Sequence, residues 1–159
     1  MKVCLGWLVK LNINFKEHGK NLVVVLFWSL TLVSVITPRI YSRIEYALGH
    51  GMSDPYMVPI LDWPQYVVLS FSTLLMGVLI GDFTAFLLFY IFGIILSSAL
   101  IYVLILLPIY LNILPSVYFD YYDFAALNYI TKSLIIAPIV LFLFIGVIGV
   151  FLREFILED

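Results

Sequence analysis

The residues able to do chemistry are few, and one stands apart. Asp82 is the only formal charge between Pro64 and Pro108. An acid inside a membrane tract suits proton relay or cation binding. Its position after Gly81 and two residues before Thr84 also suits a helix N-cap, accepting a backbone N–H at the positive end of the helix. A second group comprises His50, Asp54 and Asp62, with Glu45 upstream. One imidazole and several hard oxygens suit a divalent ion. Their spacing matches no metal motif, however, and Gly49 and Gly51 break any helix that would align them. A third group is the hydroxyls Ser29, Thr31, Ser34 and Thr37. The last three recur every third residue and so share a helix face, where they serve a helix contact or bond to their own carbonyls.

These groups do not make an enzyme on their own. Nucleophilic catalysis needs a nucleophile, a base and an orienting group. The two histidines, His18 and His50, lie in separate polar segments. Phosphate-binding, dinucleotide-binding, zinc-protease and serine-hydrolase signatures are missing. Neither a cofactor nor a metal is expected. Cys4, the single cysteine, permits no internal disulfide. Eight basic against ten acidic residues exclude nucleic acid, which requires a basic face.

The elements that carry these residues are set by hydrophobicity. The chain is 64% hydrophobic and 11% charged, with mean hydropathy +1.15. Soluble domains are about 45–50% apolar and about 25% charged. Too little polar surface is present to cover such a chain in water, so the lipid bilayer is its solvent. A crossing takes about 20 helical residues. The 43 residues between Pro64 and Pro108 therefore make two crossings and a tight turn at Gly81-Asp82.

This arithmetic predicts an all-α, polytopic integral membrane protein: a four-transmembrane-helix bundle in one domain, 1–159. The expected spans are about 21–38, 64–81, 83–107 and 132–152, with prolines marking several ends. Residues 1–20 alternate lysines with Leu8, Leu11 and Phe15 and predict an amphipathic interfacial helix. Residues 39–63 and 108–131 are expected as long loops; the first has room for a short helix at Ile40–Leu48, ended by Gly49-His50-Gly51, and the second is rich in tyrosine and phenylalanine and suited to the membrane–water boundary. Small residues are the expected packing faces: Thr73, Gly77 and Gly81 on the second helix, Gly93 and Ser97 on the third, Gly146 and Gly149 on the last. The second and third helices are expected to pack on each other or on a partner chain.

Lys2, Lys10, Lys16, Lys20 and Arg153 fall on one side of these spans, and Arg39, Arg43 and Lys132 on the other. The excess places both termini in the cytoplasm of a cell-membrane protein, with the two long loops outside. Three functions follow as expectations. The first is a non-catalytic subunit, or an assembly or stabilising factor, of a larger membrane complex. The second is a transport or channel component, as a homo-oligomer, using Asp82 and the first-span hydroxyls. The third is a lipid-modifying enzyme using Asp54, Asp62, Asp120 or Asp123 of the outer loops.

Overall fold

The computed structural model describes residues 2–50, 61–136 and 138–157, with backbone only at 2–18, 47–50, 117, 135, 136, 138 and 157. Every regular element among them is helical. α1 runs Lys2–His50, α2 Trp63–Ile80, α3 Phe83–Tyr110, α4 Phe119–Ile130 and α5 Pro138–Leu157. A short 3₁₀ turn, Ser116–Tyr118, precedes α4, and a π-helical segment, Thr131–Ile136, follows it.

Four stretches are long and apolar enough to cross a membrane: Gly19–Tyr46, Trp63–Ile80, Phe83–Tyr110 and Ile139–Ile156. Their outward faces agree. Phe27, Phe71, Leu88 and Phe144 are each about two-thirds exposed. Water would disfavour that much open apolar surface, whereas acyl chains match it.

The two central helices end where the sequence marks them. Gly81 adopts φ +67°, the left-handed conformation that closes α2. Asp82 then opens α3, its carboxylate accepting from the Ala85 N–H at 2.6 Å. At the other end of α2, the Gln65 side chain accepts from the Asp62 N–H at 2.7 Å, and Pro64 occupies the first turn without loss.

Four boundaries differ from expectation, and two of them are the ends expected at Pro38 and Pro108. Pro38 does not stop the first span: α1 continues through it to His50. The separation expected near residue 20 is likewise absent, because one helix carries both segments. Residues 39–50, expected in a loop with room for a short separate helix at Ile40–Leu48, are helical and continuous with the span. Pro108 also lies inside its helix, which runs on to Tyr110. A proline leaves the carbonyl four residues earlier without its N–H partner. For Pro108 that carbonyl belongs to Leu104, and the Tyr41 hydroxyl donates to it at 2.6 Å. Tertiary donors of this kind are why membrane helices tolerate proline. α3 ends at Tyr110, with Leu111 as its cap and Asn112 beyond it in the left-handed conformation, φ 56°. There Ile113 N–H reaches Pro108 O at 2.9 Å and Asn112 N–H reaches Ile109 O at 3.0 Å, the paired bonds of a Schellman cap.

The second expected loop, 108–131, holds α4. Tyr122, Ala125, Ala126, Tyr129 and Ile130 are buried, and they recur at the three- and four-residue spacing of one helix face. The aromatics there are partly core, rather than only a boundary belt. The last span begins later than residue 132. Lys132 lies in the π-helical segment, and α5 starts at Pro138.

The two most extensive helix contacts join helices that are not sequence neighbours. α2 packs chiefly on α5, and α3 on α1, with α1 also against α2 and α3 against α4. The expected α2–α3 pair touches little beyond its shared turn.

Candidate functional site

α2 and α5 meet backbone to backbone. A β-carbon on Gly77 would overlap the carbonyl oxygen of Gly146 and lie 3.2 Å from Val150 N. One on Gly149 would overlap the carbonyl oxygen of Leu74 and lie 3.1 Å from Val78 N. Lipid gives helices no hydrophobic reason to associate, so such packing is what holds α2 to α5. Beside this seam, Phe86 fills the space a Gly146 side chain would take.

A polar and aromatic node ties the remaining helices to that pair. The Trp28 indole N–H of α1 donates to Thr73 Oγ1 of α2 at 3.0 Å. Thr73 in turn donates to Leu69 O at 2.7 Å. Trp28 lies over Gly93, where a β-carbon would be 2.7 Å from the indole ring. The Trp28 ring is 5.3 Å from Tyr90, and Tyr90 is 5.6 Å from Phe86. The Tyr90 hydroxyl donates to Ile139 O of α5 at 3.0 Å. Across the α1–α3 contact, Ser29 Oγ donates to Gly93 O at 3.2 Å, and Ser97 Oγ donates to the same carbonyl at 2.7 Å. The side chains of this node are uncharged, and each donor has a partner inside the chain, as buried polar groups require. Thr37 Oγ1 is the exception: it is buried with no partner among the described residues.

The charged groups sit at the two ends of the bundle. Asp82 is exposed and caps α3. At the same end, Arg153 donates to Ile80 O at 2.7 Å and to Leu79 O at 3.3 Å, and its side chain lies against Gly81. A cation on the last carbonyls of α2 complements the helix dipole. At the opposite end, Arg39 pairs with Asp62 at 2.6 Å, both partners roughly half exposed. Asp123 of α4 accepts from the Tyr102 hydroxyl of α3 at 2.6 Å. Tyr122 titrates above the usual tyrosine value, first because it is buried and next because Glu45 is near. It is therefore a neutral phenol at physiological pH.

The described members of the first two groups, Asp82 and Asp62, stand apart. Asp82 and Asp62 each start a helix, at opposite ends of α2. The His50 side chain and Asp54 lie outside the described residues, so the group with Glu45 and Asp62 is not drawn together by anything described. Among the described residues no three of His, Cys, Asp and Glu form a metal-binding group. Of the span-one hydroxyls, Thr31 and Ser34 bond back to their own helix, to Phe27 O and Thr31 O. Sequence reasoning missed Trp28, Phe86, Tyr90, Tyr41 and Arg153. A signal for two of them existed. Trp28 and Tyr90 stand well inside apolar runs, away from the boundaries these residues favour, and a buried indole or phenol needs a partner there.

Searches against protein-family models, curated proteins and solved structures return no match to the chain.

Proposed function

We propose that the chain is a non-catalytic integral membrane subunit, or an assembly or stabilising factor, of a larger membrane complex. One observation carries this reading. The polar side chains at the centre of the bundle, from Trp28 to Ser97, are neutral and bonded to one another or to backbone. The seam beside them is closed by backbone contact at Gly77 and Gly149. An interior arranged this way holds helices together and leaves little for reaction chemistry or ion passage. What remains for function is the outer surface, which in a bilayer meets lipid and other membrane helices. The transport reading has less support, since Asp82 is exposed at the end of the bundle and serves as a cap. We place the protein in the cell membrane with both termini cytoplasmic, on the lysine and arginine count.

The test is extraction of the tagged chain in a mild detergent, followed by size measurement and mass spectrometry. A different membrane protein in fixed stoichiometry is the expected result. A homo-oligomer supports the transport alternative instead, and a monomer under conditions that preserve known membrane complexes overturns the proposal.

A further inference from the structure

Two cavities flank α2 and meet at a shared lining residue. The larger, 310 Å³, is an apolar groove lined by Val23, Phe27 and Trp28 of α1 and by Leu75, Met76 and Leu79 of α2. The smaller, 270 Å³, is lined by Lys20, Val78, Leu79, Arg153 and Ile156. Leu79 belongs to both. From Val23 to Thr31 the groove follows α1 for about 12 Å at the helical rise. That is close to the depth of one leaflet's hydrocarbon, about 15 Å. At its mouth stand two cations. Lys20 is exposed and makes no ion pair among the described residues, and Arg153 is partly buried. Arg153 uses one terminal nitrogen on the α2 carbonyls. A guanidinium has five N–H donors, so others remain for an anion. Of the described acids at this end, Asp82 caps α3 and Glu154 is exposed.

We infer that this surface is a binding site for an anionic phospholipid. The phosphate is held between Lys20 and Arg153, and one acyl chain lies in the α1–α2 groove against Trp28. Charge complementarity selects the headgroup, because basic pockets between membrane helices attract anionic lipid. The groove's depth selects a lipid over a soluble phosphate compound. The site lies in the leaflet on the side of the Gly81-Asp82 turn.

The full chain with Trp7→Phe and Trp63→Phe, leaving Trp28 as reporter, tests this in nanodiscs. Phosphatidylglycerol or phosphatidylcholine with brominated chains is titrated in, and quenching of Trp28 reads occupancy of the groove. The brominated anionic lipid is expected to quench at about one-fifth or less of the mole fraction needed by the zwitterionic one, a factor of about five per cation. Lys20→Gln, a change at an exposed side chain, should remove about fivefold of that preference. Lys132→Gln, at the other end, should leave it intact. Leu79→Trp in a Trp28→Phe chain would crowd the junction of the two cavities; native mass spectrometry should then show loss of the retained phosphatidylglycerol seen with the parent chain. Millimolar inorganic phosphate should not compete. Equal quenching by both lipids, an unchanged preference in Lys20→Gln, or competition by phosphate overturns the assignment. Because these readouts follow lipid in the isolated chain, they are independent of whether a protein partner exists.

Discussion

Replacing Gly77 by alanine tests the packing argument most directly. The added methyl would overlap the Gly146 carbonyl oxygen, which is backbone and cannot turn aside as a side chain would. Restoring a van der Waals separation requires α2 and α5 to part by roughly 1 Å. Overpacking of this kind costs about 1–3 kcal/mol, and the high end applies because the shift also loosens Gly149 on Leu74. We expect Gly77→Ala to cost about 3 kcal/mol. Gly149→Ala should cost a similar amount, but the double variant should cost clearly less than the sum, since one displacement relieves both overlaps. Gly19→Ala is the control: nothing lies within 4 Å of its added carbon, and helix propensity should make it neutral or stabilising by up to about 1 kcal/mol. The assay is reversible unfolding in mixed micelles, followed by helicity. A Gly77→Ala chain as stable as Gly19→Ala, or strict additivity of the two seam variants, would refute the reasoning.

Four further outcomes follow from the geometry. Tyr41→Phe should cost about 1 kcal/mol by stranding the Leu104 carbonyl, and much less in a Pro108→Ala background, where alanine restores the helical N–H; equal costs in both backgrounds would dismiss the coupling. Thr37→Val should be neutral or mildly stabilising in the same unfolding assay, because it removes a buried hydroxyl without a partner. Asp82→Ala should cost about 1 kcal/mol as a lost cap and Asp82→Asn far less; if Asp82→Asn instead abolishes a cellular function while stability holds, Asp82 is more than a cap. In a Cys4→Ser background, Asp54→Cys or Asp120→Cys should react with an impermeant thiol reagent from outside the cell and Lys10→Cys or Asp82→Cys should not, and the reverse labelling would invert the topology.

The central helices were legible because their end signals are local. Gly81 and Asp82 act within one turn of themselves, and Pro64 sits where a first turn tolerates it. Pro38 and Pro108 misled because their effect is decided elsewhere. Whether a proline ends a helix depends on what satisfies the freed carbonyl, and for Pro108 the donor is Tyr41, on another helix. Partner choice was illegible for a related reason. The small-residue faces at Gly77 and Gly146 are visible in the sequence, yet spacing alone does not say which face meets which. α4 carried its signal in plain view. Tyr122, Ala125, Ala126, Tyr129 and Ile130 follow helical spacing, but the density of aromatics drew attention to the membrane boundary instead. The interior node was out of reach, because a Trp28–Thr73 bond joins residues 45 apart.

The seam between α2 and α5 has a consequence for synthesis. Gly77 leaves the ribosome about 70 residues ahead of Gly149, an interval on the order of 10 s at ordinary elongation rates. For that time the half-made protein carries a bare strip of backbone with nothing of its own to cover it. Whatever covers it, lipid or protein, must leave before the final helix docks. A nascent chain stalled before Pro138 should therefore remain bound to whatever shields that strip.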